Sequence, residues 1–234
     1  MKIKIKKSEG LREYEVSKGL LLLQAMYEIK ENQDSTLSFD SGCRSSICGE
    51  CAVRVNGKEV LACATRVNDG DVIEPLQYHK VIRDLRVDKS KANSKNKMAQ
   101  AFLHKYKEVV LEPSDEKELA KQSDCILCDS CYSACPVMAV NENFLGPFAL
   151  TRAYRYAKDR RESEEKSIID SVQNSGVWDC TLCGECTLVC PKGIDPKADI
   201  IQLRNLSAKY GYMDPNFGNM GFGGDGFGFN PNGF

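Results

Sequence analysis

Two stretches of the chain share one cysteine spacing, and this repeat limits what the chain can fold into more than any other feature. The stretch Cys180–Pro191 reads CTLCGECTLVCP, and the earlier stretch Cys125–Pro136 has the same CxxCxxCxxxCP form. Thiolates at this spacing typically hold [4Fe-4S] clusters, and in chains with two such runs the fourth cysteine of each run ligates the other cluster. The sequence therefore predicts that two distant segments are held together in one unit.

A third cysteine group lies upstream. Cys43, Cys48 and Cys51 have the spacing CxxxxCxxC, and Cys63 follows 12 positions later. This plant-type spacing predicts a [2Fe-2S] cluster, with nearby glycines allowing the loop to curl closely around it. Four cysteines can also hold structural zinc. Zinc sites commonly use two CxxC pairs, and only one such pair occurs here, so the spacing favours the cluster.

All 12 cysteines fall into these three groups, and the chain begins without the apolar core of a signal peptide. We therefore expect metal ligation in a reducing compartment instead of a secreted disulfide framework. No stretch approaches the roughly 20 apolar residues needed to span a bilayer. The formal net charge of -1 provides no basic field for binding nucleic acid.

Around the [2Fe-2S] cysteines, the pattern predicts a β-grasp domain. Period-two alternation indicates strands over 2–7 and 11–16, and an apolar stripe at helical spacing indicates a helix over 20–32. The dipeptide Asn56-Gly57 favours a type I′ turn in a hairpin over 52–63, and 72–74 can add a last strand.

The second half has helical patterns. Ser114 is predicted to cap one helix, Gly146-Pro147 to start another, and Ser163 to cap a third. Asp195-Pro196 gives a cap followed by proline at the first helical position. The tail from Gly211 to Phe234, rich in glycine and phenylalanine, is predicted to be disordered, with docking of its phenylalanines on a partner as the alternative.

The predicted fold is therefore α+β, with an N-terminal β-grasp plant-type [2Fe-2S] ferredoxin domain followed by an α-helical bacterial-type ferredoxin domain. The predicted boundaries are 1–88 for the first domain, 89–112 for a linker with a lysine-rich helix, 113–210 for the second domain with two clusters, and 211–234 for the tail. We interpret the lysine-rich segment as a solvated face, with a site for an anionic partner as the alternative.

The residues predict electron transfer without substrate chemistry. Thiolate-bound clusters exchange single electrons, and three of them form a relay. Only two histidines occur, His79 and His104, so no Ser/His/Asp catalytic set can be proposed. Neither lies in a pattern suited to a Rieske centre, and we interpret both as surface or packing residues. Two-electron chemistry is then expected in a partner, most simply a flavoprotein.

The order of the three cysteine groups resembles that of the iron-sulfur subunit of succinate dehydrogenase and fumarate reductase. The resemblance covers about residues 1–210, and further similar stretches are Ser38-Phe39, Ile47-Cys48-Gly49-Glu50-Cys51-Ala52, Val55-Asn56-Gly57, Leu145-Gly146-Pro147 and Cys190-Pro191-Lys192-Gly193-Ile194-Asp195-Pro196.

The resemblance implies a partner with covalently bound FAD that interconverts succinate and fumarate, in the tricarboxylic acid cycle or in anaerobic respiration. It also implies that the flavin lies nearest the [2Fe-2S] end and a quinone nearest the third cluster. The ligands that the resemblance implies for a [4Fe-4S] cluster are Cys125, Cys128, Cys131 and Cys190, and those for the third cluster are Cys135, Cys180 and Cys186.

Two departures from the family pattern lead to more specific predictions. Most members have another residue at Cys183 and a [3Fe-4S] third cluster, so a fourth thiolate here predicts [4Fe-4S], with [3Fe-4S] as the alternative. Members with a cytochrome anchor usually have quinone-contacting aromatic residues, including a tryptophan, after the Cys-Pro of the first run, where this chain has Val137-Met138-Ala139-Val140. They often have a histidine after the first cysteine of the second run, where this chain has Thr181. This combination resembles the branch that includes methylmenaquinol:fumarate reductases, whose third subunit is a cysteine-rich protein related to heterodisulfide reductase instead of a haem-bearing anchor.

The expected location is the cytoplasmic face of the cell membrane, as a peripheral subunit. The alternative is the periplasmic face, reached by co-export with the flavoprotein. A second functional hypothesis is the iron-sulfur subunit of a thiol-linked fumarate reductase or of another flavoprotein. A third is a zinc-stabilised interaction protein.

Overall fold

The computed structural model describes residues 1–215, and these form the predicted α+β fold. Strands dominate the first part and helices the rest. The elements are β1 (Lys2–Lys7), β2 (Gly10–Glu15), α1 (Leu22–Asn32), β3 (Ala52–Val55), β4 (Lys58–Leu61), β5 (Val72–Glu74), β6 (Lys80–Arg83), β7 (Arg86–Asp88), α2 (Ser90–Met98), α3 (Pro113–Ser123), α4 (Ser130–Ser133), α5 (Val137–Val140), α6 (Pro147–Ala157), α7 (Glu165–Ser171), α8 (Glu185–Leu188) and α9 (Pro196–Lys209).

Five strands form a mixed sheet in the order β2-β1-β5-β3-β4. β1 pairs parallel with β5, and the other pairs are antiparallel. Ile3 and Ile5 of β1 point into the core because alternate residues of a strand face the same side. Met26 and Ile29 of α1 are buried in the same core. A sheet covered by one crossing helix is the predicted β-grasp arrangement.

The hairpin of β3 and β4 places two cysteines at neighbouring strand ends. Asn56 and Gly57 have φ angles of 50° and 85°, which confirms the predicted two-residue turn with both φ values positive. Ala52 then pairs with Leu61. Cys51 and Cys63 flank these paired ends, and the Ala62 N–H donates to the Cys51 carbonyl at 3.0 Å.

A second hydrophobic core lies among the helices. Leu150 and Ala153 of α6 and Ile200 and Leu203 of α9 are fully buried there. Cys128 is the exception in its cysteine run, because it packs against the first core. The two cores therefore meet at the loop that carries Cys128.

Two of the predicted helix starts are wrong. α3 begins at Pro113, one residue before the expected Ser114 cap, and the Glu112 N–H donates to Asp115 at 2.8 Å. Proline suits the first helical position because its fixed φ is helical and its missing N–H is not needed there. α7 begins at Glu165, so Ser163 does not cap it. The Gly146-Pro147 and Asp195-Pro196 starts are confirmed.

The lysine-rich segment differs from a wholly solvated face. Lys95 of α2 is buried, and its ammonium donates to the carbonyls of Glu142 at 2.8 Å and Phe144 at 2.6 Å. Buried charge is tolerated because these carbonyls replace lost water. The hairpin of β6 and β7 was not predicted. Most of the predicted disordered tail, residues 216–234, lies outside the described residues.

Within residues 1–215, no helix combines the length and apolar character that crossing a bilayer requires.

Candidate iron-sulfur centres

Cys43, Cys48 and Cys51 of the first group lie on a tightly curled loop between α1 and β3, and Cys63 follows β4. Arg44, Ser46 and Gly49 have φ angles of 60°, 61° and 74°, so the backbone reverses direction repeatedly between the cysteines. Left-handed positions are costly for residues other than glycine, and a loop holds them when its other contacts over-determine the path. This curl turns several N–H groups inward.

Those N–H groups donate to the cysteine sulfur atoms. The N–H groups of Ser45, Ile47 and Cys48 lie 3.4, 3.3 and 3.3 Å from the Cys43 sulfur. Led by the Ser45 bond, these contacts lower the pKa of Cys43 to about 6. Hydrogen bonds to the charged form favour thiolate, which is the form that ligates iron. The loop is therefore preorganised to hold a thiolate-bound group.

The two CxxCxxCxxxCP runs adopt the same backbone path. Leu127 and Leu182, each two residues after the first cysteine, have φ angles of 51° and 55°. Asp129 and Gly184, each four residues after it, have φ angles of 65° and 90°. The short helices α4 and α8 follow at once in both runs. The sequence repeat is thus a repeat in structure.

The middle group lines a small, partly open cavity. The charge of the distant Cys190 contributes to the raised pKa values of Cys125 and Cys128, so the Cys190 loop lies beside this site. Burial raises the pKa of Cys131 well above its ordinary value. A buried thiol of this kind becomes a thiolate ligand only when a cation compensates the charge. The cysteines that line the cavity are Cys125, Cys128, Cys131 and Cys190.

The third group combines Cys135 of the first run with cysteines of the second. Burial raises the pKa of Cys135 to about 11, and the charges of Cys180 and Cys183 raise it further. Burial likewise raises the pKa of Cys186 to about 12, with Cys180, Cys135 and Cys183 adding to the effect. The four thiols therefore lie within electrostatic reach of one another, and Cys183 is the exposed member.

These groups suit clusters better than single ions. Within the described part of the chain, no three His, Cys, Asp or Glu side chains converge as one metal ion requires. Zinc would need four sulfur atoms about 2.3 Å from one point. The lined cavity and the donor set of thiols fit a multi-iron group. The geometry therefore disfavours the zinc alternative.

The middle group contacts both of the others. A Cβ built on Gly49 would lie 2.8 Å from the Cys128 Cβ, so the [2Fe-2S] loop touches the middle group at its backbone. Lys192 adds a second link by donating to the Ser46 carbonyl at 3.5 Å. On the other side, α4, which carries Cys131, packs against α8, which carries Cys186. The three groups thus form a continuous series.

Sequence reasoning missed a buried pair beside the middle group. The Asp129 carboxylate has no hydrogen-bond partner, and its Oδ2 lies 3.7 Å from the His79 Nε2. Burial raises the pKa of Asp129 to about 7 and lowers that of His79 to about 4. The His79 ring packs against Tyr132 at 4.8 Å, as a packing residue does. The sequence held one signal for this pair: the first run has Asp129 at the position where the second run has Gly184.

The comparisons with known proteins identify both cluster-binding regions. Residues 3–94 match the family "2Fe-2S iron-sulfur cluster binding domain", and residues 121–194 match the family "4Fe-4S dicluster domain". These matches confirm the predicted fold class and the [2Fe-2S] and [4Fe-4S] cofactors.

Several curated proteins are similar over most of the chain. The fumarate reductase iron-sulfur subunit of Mycobacterium tuberculosis is 37% identical, over 87% of this chain and 88% of that protein. The 8-methylmenaquinol:fumarate reductase iron-sulfur subunit of Wolinella succinogenes is 35% identical, over 90% of this chain and 74% of that protein. The chain spans only 44% of an uncharacterized iron-sulfur protein from Methanococcus maripaludis and 45% of one from Methanocaldococcus jannaschii.

A solved structure supports the fold. A chain of the Mycobacterium smegmatis Sdh1 complex in the apo form superposes with a TM-score of 0.81 at 22% identity, over 92% of this chain and 98% of that chain. At this identity the likeness concerns the fold alone. The family is shown by the curated relatives that match this chain along most of their own length. The chain belongs to the family of iron-sulfur subunits of succinate dehydrogenases and fumarate reductases.

Proposed function

We propose that this chain relays single electrons between a FAD-containing subunit that interconverts succinate and fumarate and a subunit that reacts with quinone or quinol. The observation that carries the proposal is the series of contacts from the Gly49 loop through Cys128 and Cys131 to Cys186. Electron transfer needs neighbouring centres, and this series provides them without any catalytic acid or base.

The proposed ligands follow the three groups. Clusters at these sites supply reversible one-electron chemistry. The protein's own contribution is the inward-facing N–H groups around Cys43 and the partial burial of the middle thiols, which limits the access of water to that centre. The assignments are [2Fe-2S] at Cys43, Cys48, Cys51 and Cys63, [4Fe-4S] at Cys125, Cys128, Cys131 and Cys190, and the third cluster at Cys135, Cys180, Cys183 and Cys186. The proposed domain boundaries are 1–88 for the first domain, 89–112 for the linker and 113–210 for the second domain.

The two ends of the series suit different partners. At the [2Fe-2S] end, Cys43 is exposed and Ile47 presents 64% of its surface, which suits docking of the flavoprotein. At the other end, Val140 and Leu188 are 86% and 79% exposed near the third group. Large exposed apolar side chains commonly mark partner surfaces. This end suits the membrane-associated third subunit, which we expect to be cysteine-rich.

The third cluster is proposed to be [4Fe-4S]. Cys183 stands with Cys135, Cys180 and Cys186, so four thiolates are available. Low-temperature EPR of anaerobically purified, then oxidised protein tests this assignment. We expect no strong [3Fe-4S] signal in the parent protein and a new [3Fe-4S] signal in Cys183→Ser. A strong [3Fe-4S] signal in the intact parent protein contradicts the proposal.

The relay is tested in the purified native complex. In Cys131→Ser we expect loss of quinol-dependent fumarate reduction, while fumarate reduction by an artificial dye at the flavoprotein persists. Lys209→Gln, an exposed change at the end of α9, serves as the control and should retain both activities. Retention of quinol-dependent fumarate reduction in Cys131→Ser would show that the middle centre is not part of a relay.

A second candidate is the same role in a thiol-linked enzyme. One subunit of the fumarate reductase (CoM/CoB) of Methanothermobacter marburgensis is 35% identical over 81% of this chain, although the chain spans only 39% of that protein. Assays of the complex with quinols and with thiols as alternative electron donors separate the candidates. Thiol-dependent fumarate reduction without quinol activity would favour the second.

We further propose a peripheral position on the cytoplasmic face of the cell membrane. The alternative is the periplasmic face, through co-export with the flavoprotein. Protease accessibility of the subunit in right-side-out and inverted vesicles distinguishes the two faces.

A further inference from the structure

A buried carboxyl group lies next to the middle cysteine group but outside its ligands. Asp199 of α9 is 4% exposed, and its Oδ1 accepts a hydrogen bond from the Gln122 Nε2 at 2.8 Å. Its Oδ2 has no partner. The Thr151 hydroxyl and the Gln122 Oε1 are also buried without partners. All three atoms can accept a hydrogen bond, and the Thr151 hydroxyl, which is close enough to lower the pKa of Asp199, is the one donor among them, so a protonated carboxyl would supply a second donor.

Two elements place Asp199 one side chain away from the cavity of the middle group. Thr151 of α6 lines that cavity, and its hydroxyl also acts on the Asp199 carboxyl. Pro196 lines the cavity too, and it precedes Asp199 by one helical turn on the same face of α9. The carboxyl therefore lies near the charge that the cavity would hold, and among residues 1–215 no ion pair to it is found.

We propose that Asp199 takes up one proton when the middle [4Fe-4S] cluster gains one electron. The inference rests on the proposed function, which supplies the electron from the neighbouring centre or from the partner. The proton comes from solvent and binds Oδ2, where it can be shared with Thr151 or Gln122. One negative charge and one positive charge arrive together, so the net charge of the site is unchanged.

Burial supports this role. It raises the pKa of Asp199 to about 6, and the charge of Asp195 raises it further. An added negative charge on the order of 10 Å away in a protein interior strengthens proton binding about tenfold. The elements around Asp199 carry charges of both signs: Asp195, Lys197, Arg204 and Lys209 at or on α9, Arg152 and Arg155 of α6, Lys117 and Lys121 of α3, Asp129 before α4, Glu165, Lys166 and Asp170 of α7, and Glu185 of α8.

The test is an EPR-monitored redox titration of the [4Fe-4S] signal across pH. We expect the parent protein and Asp199→Asn to have equal midpoint potentials at pH 5. Above pH 8 the parent protein should lie lower by about 59 mV, because a tenfold change in a one-electron equilibrium corresponds to that shift. Asp170→Asn removes an exposed carboxylate and should follow the parent protein. The comparison isolates Asp199 from Asp129, which both proteins retain.

Redox-difference infrared spectra give an independent result. At about pH 6.5, between the pKa values expected for the oxidised and reduced states, the parent protein should gain a carboxylic-acid band on reduction, and Asp199→Asn should lack it. If Asp199→Asn does not assemble, Thr151→Val is the second variant. It retains the Asp199 carboxyl and removes the hydroxyl that favours the charged form of that carboxyl. The pH range over which the midpoint potential falls should therefore move to higher pH.

Several outcomes overturn the inference. A potential difference that is zero, or the same at pH 5 and pH 8, excludes Asp199 as the proton acceptor. An unchanged pH window in Thr151→Val does so too. Absence of any [4Fe-4S] signal in the parent protein would instead refute the ligand assignment, and the inference with it.

Discussion

The contact between the [2Fe-2S] loop and the middle group depends on the absence of a side chain at Gly49. In Gly49→Ala the new Cβ would lie 2.8 Å from the Cys128 Cβ and 3.0 Å from the Ile126 carbonyl oxygen. Both are shorter than ordinary contact, so the two loops must separate. The left-handed φ of 74° adds about 1–2 kcal/mol for a residue with a Cβ, and overpacking adds about 1–3 kcal/mol.

Gly70→Ala is the matched control. Gly70 has a φ of 83°, but a Cβ there meets no atom within 4 Å. It should therefore carry only the backbone penalty of about 1–2 kcal/mol. The difference between the variants isolates the contact and should be about 1–3 kcal/mol. For a chain of this size that corresponds to roughly 2–12 °C in melting temperature.

The assay is anaerobic thermal unfolding of the cluster-loaded protein, followed by its visible absorbance. Weakened magnetic interaction between the reduced clusters, measured as EPR relaxation of the [2Fe-2S] signal, should accompany the larger shift in Gly49→Ala. Equal melting temperatures in the two variants, with unchanged relaxation, would refute the claim that this glycine joins the loops.

Three other predictions concern stability. Asp195→Ala should lower the free energy of unfolding by about 1 kcal/mol, because its carboxylate caps α9, whereas Ser114→Ala should have almost no effect; chemical unfolding compares them. Lys95→Met leaves one buried and one partly buried carbonyl unpaired and should destabilise the protein by about 2–4 kcal/mol. The exposed control Lys91→Met should cost less than about 1 kcal/mol. Equal melting temperatures in the two variants would contradict the prediction. Because the pKa of Asp199 is raised, the folded state binds more protons than the unfolded state between about pH 4 and 6, and the stability from this group falls as pH rises through that range. Unfolding measured at several pH values should show that Asp199→Asn flattens this part of the stability profile.

Local signals in the sequence predict much of the fold and of the sites. The alternation in β1 and the Asn56-Gly57 turn have the predicted form, because strand faces and turn angles depend on neighbouring residues. The α3 start was wrong because Pro113 and Asp115 together make a better helix beginning than a Ser114 cap. Several capping preferences compete at a helix end, and only small energy differences decide which of them sets the first residue of the helix.

The cysteine spacing by itself predicted the two ferredoxin-type regions, and the resemblance of the sequence to a known family implied the three ligand sets. Only the tertiary structure decided that Gly49 touches Cys128, that Lys95 is buried on two carbonyls, and that Asp199 lies behind Thr151 without a partner for its second oxygen. Spacing within a run keeps its first three thiols close enough for one cluster because the ligating loops are short, and the exchange of the fourth cysteine between the runs is what the family resemblance implies. Burial and contact between distant residues depend on how the two cores pack, and short-range patterns carry no record of that packing.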